Sequence, residues 1–166
     1  DSRETAYFDA LIDDVTARFP VDDSKLLATG FSAGGMMTWT LACRRGQSFA
    51  GFLPIAGTFW APLPDDCPFD GVNLIHIHGT ADKVVPLTGR PIADTHQGDV
   101  SEAMAELSTS GNYEAAVPSP PLPEGLTCEA SRNSAGDKMT LCLHEGGHSV
   151  RAEWLALGYS ALVEQP

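Results

Sequence analysis

The run Gly30-Phe31-Ser32-Ala33-Gly34-Gly35 constrains this chain more than any other feature. It follows a short apolar segment, residues 25–29, and precedes residues 34–45, where Met36, Met37, Trp39 and Leu41 are the apolar positions. The first reads as a buried strand and the second as a helix. Arg44 and Arg45 suit the helix C-terminus, and Gly46 can end it. A strand that enters a helix through G-x-S-x-G must turn sharply. The two outer glycines are expected because side chains there would clash, and the serine sits in a strained backbone conformation. Such a turn lifts the Ser32 hydroxyl above the sheet. It also puts the Ala33 N–H at the helix N-terminus, where it can donate to an oxyanion. The plain alternative is a glycine-rich turn with an incidental serine.

The rest of the chain alternates in the same manner. Residues 3–19 read as a helix, with Tyr7, Phe8, Leu11, Ile12, Val15 and Phe19 on one face and Pro20 as its stop. Strands are expected at 51–56 and 73–78, and helices at 100–107 and 150–163. A proline-rich loop covers 118–123. A hairpin-like pair, 126–131 and 138–143, turns around Asn133 to Gly136. Strands alternating with helices imply a mostly parallel sheet of about five strands, flanked by helices, with functional groups at the strands' carboxyl ends. Length sets one domain over residues 1–166.

A serine nucleophile needs a base, and the base needs an orienting acid. Asp82 follows the strand that ends in His78, and His148 follows the strand that ends near Leu143. Both come after Ser32 in chain order, at strand ends, where the serine also lies. The glycines of Glu145-Gly146-Gly147-His148 let the backbone swing the imidazole over the sheet. Read singly, Asp82 is an ordinary turn aspartate and His148 a loop histidine. His144-Glu145-Gly146-Gly147-His148 also matches H-E-x-x-H, a zinc signature that works only on a helix. Two adjacent glycines would cost such a helix roughly 2 kcal/mol against alanine, so a zinc hydrolase through His144 and His148 is the weaker alternative. His76 and His78 read as satisfied residues at a strand end. No metal and no cofactor is expected.

Taken together, several stretches resemble secreted polyhydroxybutyrate depolymerase-like and feruloyl esterase-like α/β-hydrolases. They are Phe19-Pro20-Val21-Asp22, Ala28 through Met37, Leu41-Ala42-Cys43, Pro54-Ile55-Ala56-Gly57, His76 through Asp82, and Glu145-Gly146-Gly147-His148. The resemblance implies a Ser32-His148-Asp82 triad with Ala33 as one oxyanion donor. It implies disulfides Cys43–Cys67 and Cys128–Cys142, where the cysteine count alone leaves four free thiols open. That pairing favours a secreted or periplasmic protein. Phe31, Trp60 and Val84 are the expected pocket residues. An ordinary member carries several more strands and a His-Gly oxyanion loop ahead of the first helix, and this sequence contains neither. The chain therefore resembles a truncated or minimal α/β-hydrolase. The strand from Lys25 to Thr29 would be a bare edge that invites pairing: with a second copy in a homodimer, with a second chain, or with a rearranged segment such as 109–125.

The net charge of -12 disfavours nucleic acid and anionic membranes as partners, and no apolar run approaches the length of a membrane span. A small or polymeric neutral ester is the expected substrate, of short-acyl, polyester or feruloyl type. The competing expectation from another class is a non-catalytic fragment or remnant that keeps the triad letters but binds, or works only with a partner chain.

Overall fold

The computed structural model describes residues 2–68, 71–119 and 125–164. In chain order its elements are α1 (Ser2–Arg18), β1 (Leu27–Phe31), α2 (Ala33–Arg44), β2 (Gly51–Ile55), β3 (Trp60–Ala61), β4 (Leu74–Gly79), β5 (Pro91–Ile92), β6 (Thr95–Gln97), α3 (Val100–Ser110), β7 (Val117–Pro118), β8 (Thr127–Arg132), β9 (Lys138–His144) and α4 (Ala152–Leu162). The main sheet has six strands in the order β1-β2-β4-β9-β8-β7. The first four run parallel, and β8 and β7 are added antiparallel. This is the mostly parallel, helix-flanked sheet the alternation predicts, with one more strand than the five expected.

Two apolar clusters occupy its two faces, as strand alternation requires. Phe52, Leu74 and Met139 join Trp39 and Leu41 of α2 in one cluster. Leu53, Ile55, Ile75 and Ile77 join Trp154 of α4 in the other. All residues of β2 and β4 are buried; β2 reads accordingly as a nearly unbroken apolar run, while β4 interleaves Leu74, Ile75 and Ile77 with His76 and His78.

Three expectations need correction. Lys25 closes a single 3₁₀ turn, Asp23–Lys25, and the first strand runs on through Gly30 and Phe31. Val117 and Pro118 form a short strand against β8, at the edge opposite β1. The described part of segment 109–125 therefore does not cover β1, which stays an edge strand; residues 120–124 of the proline-rich loop lie outside the described residues. The small sheet β3-β6-β5 was not foreseen, because strands of two or three residues carry no readable period. The apolar arc of α1 is also wider than the protein covers: Phe8, Ile12 and Val15 are half-buried, while Tyr7 and Leu11 face solvent.

Candidate active site

Ser32 sits alone between β1 and α2 with φ 58° and ψ -119°, a conformation that costs a residue bearing a Cβ on the order of 1–3 kcal/mol. The surroundings hold it there. Its N–H donates to the Ile55 carbonyl at 2.9 Å, and its own carbonyl accepts from the Met36 N–H at 3.0 Å. A Cβ on Gly30 would lie 2.3 Å from the Gly34 backbone, whereas a Cβ on Gly34 would meet nothing within 4 Å. The expected clash is thus real at Gly30 only; Gly34 matters as the backbone that Gly30 touches. Gly35 and Gly57 continue the close approach. A Cβ on Gly35 would come within 2.6 Å of the Ile55 carbonyl, and one on Gly57 within 2.7 Å of the Met36 nitrogen. The first turn of α2 therefore rests directly on the end of β2. Ala33, exposed at the start of α2, has an N–H that no carbonyl of its own helix can satisfy.

Asp82 lies in the turn after β4, with its side chain fully buried. One carboxylate oxygen accepts from the Val84 N–H at 2.8 Å and the Val85 N–H at 2.9 Å. The other is 2.7 Å from His148 Nδ1. Burial pushes this carboxyl up, but the His148 hydrogen bond and the Val85 and Val84 amides together outweigh it and hold it below its usual value. Asp82 is therefore ionised at neutral pH, and as an acceptor it calls for an N–H at His148 Nδ1; in a neutral imidazole that arrangement leaves Nε2 with a lone pair.

The turn carrying His148 is fastened to the turn carrying Asp82. The Thr80 N–H donates to the His144 carbonyl at 2.8 Å, and the Ala81 N–H to the Gly146 carbonyl at 3.1 Å. Gly79 makes this approach fit, since a Cβ there would lie 2.3 Å from the Gly146 oxygen. The His148 ring packs on Phe31 with centroids 4.6 Å apart, so the imidazole stands beside the residue that precedes Ser32. His144 ends β9 and residues 145–148 follow without forming a helix, which removes the geometry that H-E-x-x-H needs.

The structure thus brings Ser32, Ala33, Phe31, Asp82 and His148 to the carboxyl ends of β1, β4 and β9. Val84 is exposed next to Asp82. Trp60 lines a cleft with Thr40, Cys43, Arg44, Phe59, Pro62 and Pro64. A second cavity, lined by Thr80, Leu126, Thr127, His144, Arg151 and Trp154, borders the His148 turn. Its walls come from four separate segments, so no local pattern announces it. Cys43 is bonded to Cys67, and Cys128 to its cross-strand partner Cys142.

Residues 2–105 match the phospholipase/carboxylesterase family. Feruloyl esterase C of Emericella nidulans is 27% identical over 145 residues, which is 87% of this chain and 50% of that protein. The protein named "Probable feruloyl esterase C" of Aspergillus clavatus is 28% identical over 145 residues, covering 87% and 49%. The chain therefore spans about half the length of these curated relatives. Among solved structures, an acetyl xylan esterase from Aspergillus awamori superposes with a TM-score of 0.54 at 15% identity, covering 85% of this chain and 62% of that one, a likeness of fold. The family match takes in the Ser32 turn and the Asp82 turn, and by it this chain belongs to the phospholipase/carboxylesterase family of α/β-hydrolases.

Proposed function

We propose that this protein hydrolyses carboxylic esters through an acyl-enzyme, with Ser32 as nucleophile, His148 as base and Asp82 as acid. The observation that carries the reading is the 2.7 Å contact between His148 Nδ1 and a buried, amide-clamped Asp82 carboxylate, with the imidazole packed on the nucleophile turn. His148 Nε2 takes the Ser32 proton as Oγ attacks the ester carbonyl carbon. The tetrahedral oxyanion accepts from the Ala33 N–H. The carbon–oxygen bond to the alcohol then breaks, and His148 returns the proton to the departing oxygen. Water, deprotonated by the same nitrogen, attacks the acyl-serine and releases the acid. Asp82 holds the ring in the Nδ1–H tautomer and stabilises the imidazolium formed in each half-reaction. No step calls for a metal or cofactor.

Relatives named as feruloyl esterases support an acyl group of short-chain or feruloyl type on a neutral alcohol. The two disulfides support a protein made for an oxidising compartment, secreted or periplasmic. The β1 edge and the partial span of the relatives support a further strand paired with β1 in the working protein. That segment would also bring the second oxyanion donor, whose loss costs roughly 100- to 1,000-fold in rate.

The test is hydrolysis of p-nitrophenyl butyrate by the chain beside Ser32→Ala. Turnover that vanishes in the variant is the expected result. Equal background rates from two folded samples would reject the catalytic reading and favour the non-catalytic remnant.

A further inference from the structure

Strand β4 reads Leu-Ile-His-Ile-His-Gly, and His76 and His78 are both wholly buried on one of its faces. A parallel strand covered on both sides is ordinarily filled with apolar residues, and a buried imidazole must recover in hydrogen bonds what it loses in hydration. The two rings do so in a line. His76 Nδ1 is 3.1 Å from the Pro54 carbonyl, His76 Nε2 is 3.0 Å from His78 Nδ1, and His78 Nε2 is 2.8 Å from the Val85 carbonyl. Trp39 walls the line, its ring 5.2 Å from that of His76.

Val85 is where this line meets the triad. Its carbonyl receives His78, while its N–H donates to Asp82 at 2.9 Å. His78 Nε2 is itself 3.6 Å from the other Asp82 oxygen. Burial lowers both histidines, His76 well below the ordinary range, with the neighbouring ring adding to the effect there. On His78, the Val85 carbonyl and Asp82 pull upward, and His148 and His144 push further down. The pair is therefore neutral at neutral pH. Two neutral rings carry two protons for three contacts, so one contact goes without, and the longest is the one to Pro54.

We propose that His76 and His78 are positioning residues for the acid of the triad. His76 Nε2–H donates to His78 Nδ1, His78 Nε2–H donates to the Val85 carbonyl, and the Val85 backbone so fixed clamps Asp82. The Val85 carbonyl and N–H belong to successive peptide units joined at one Cα, so without His78 the carbonyl of a buried residue loses its partner and the Val85 backbone is free to turn its N–H off the carboxylate. The proposal rests on the triad reading above, and its test is chosen to be separable from it.

In ¹⁵N-histidine-labelled wild-type protein at pH 7, both rings are expected neutral in the Nε2–H form, with a coupling across the His76–His78 contact. A proton on His76 Nδ1 and none between the rings would overturn the proposal. This readout needs neither turnover nor a variant. His76→Phe keeps a ring but removes the donor. It is expected to shift the low-field His148 Nδ1 proton and to lower kcat about 10-fold with KM little changed, a fraction of the roughly 100-fold cost of a misplacement of about 1 Å. His76→Gln, which keeps a donor, is expected to recover most of that loss. A folded His76→Phe with wild-type kcat and an unmoved low-field proton would also overturn the proposal. If Ser32→Ala remains active, the triad reading fails, while the tautomers and the low-field proton still judge the clamp on Asp82.

Discussion

Replacing Gly79 with alanine tests how the triad is held together. The added Cβ would stand 2.3 Å from the Gly146 oxygen and 2.5 Å from the Gly147 oxygen. Both are backbone atoms of the segment that delivers His148, so no flexible side chain can swing away to make room. Restoring ordinary contact moves residues 146–147 by about 1 Å, and a displacement of that size between reacting groups costs roughly 100-fold in rate. The segment cannot retreat freely, because the Thr80 and Ala81 amides are bonded to the His144 and Gly146 carbonyls. Strain of this kind costs about 1–3 kcal/mol of stability. For a chain of this size each kcal/mol lowers Tm by roughly 2–4 °C.

Gly79→Ala is thus expected to remain folded at 25 °C, to melt a few degrees early, and to lose about two orders of magnitude in kcat on p-nitrophenyl butyrate. Labelling of Ser32 by a fluorophosphonate should slow in parallel, since it reads the same activation without turnover. A folded Gly79→Ala with wild-type kcat and wild-type labelling would refute the reasoning. It would mean that the position of His148 does not depend on the close approach of its turn to the end of β4.

Three further outcomes follow from the same geometry. Gly30→Ala should destabilise the protein strongly, because its Cβ meets Gly34 backbone at 2.3 Å; Gly34→Ala, in open space inside α2, should stabilise it by up to about 1 kcal/mol, and thermal melts of the two decide the matter. Removing the Cys128–Cys142 bond as a double serine variant opens a loop of sequence separation 14 and should cost about 3 kcal/mol in urea unfolding; an unchanged midpoint would mean the hairpin needs no cross-link. His76, His78 and His144 are each held below their ordinary values, burial being the leading cause. As pH falls below about 6.5 the unfolded chain binds protons that the folded one refuses, so stability falls by up to about 1.4 kcal/mol per pH unit for each histidine. Asp82 is also depressed, so its contribution is complete above the unfolded carboxyl value and is lost only at more acid pH. Urea midpoints from pH 7.5 to 4.5 should decline throughout, and a flat profile would contradict the burial of the three rings as neutral groups.

Much of this was legible in the sequence because it depends on local rules. Strands β2 and β4 are long enough to be seen, and the turn at Ser32 announces itself through Gly30. The order of Ser32, Asp82 and His148 after three strands places them at one end of a parallel sheet. What escaped was decided by contacts distant in sequence. Two-residue strands such as β3 and β7 exist only because a partner strand stabilises them. Gly34 and Gly30 look equivalent as letters, and only the path of the backbone reveals which one lacks room. His76 and His78 read rightly as satisfied residues at a strand end. That their bonds lead through Val85 to Asp82 could not be read, since Pro54 and Val85 lie 22 and 7 residues from their partners.

On the proposed mechanism the site has two parts, a triad held in place and an oxyanion site. Base, acid and nucleophile turn are held by backbone packed on backbone: Gly30 on Gly34, Gly35 on Ile55, Gly57 on Met36, and Gly79 on Gly146. Every one of those contacts lies within the described residues. Stabilising the oxyanion is different. The proposal draws one donor, the Ala33 N–H, from the Ser32 turn, and β1, which leads into that turn, lies at an edge of the sheet among the described residues. A strand added there would lie alongside Phe31 and end near Ser32, where a second donor is needed. The two requirements converge: pairing of the β1 edge and completion of the oxyanion site become one event. Ser32 should therefore react with a fluorophosphonate in the chain alone, while efficient ester turnover should rise with whatever pairs with β1. Turnover by a monomer at the rate of a full-length relative would separate the two and end the argument.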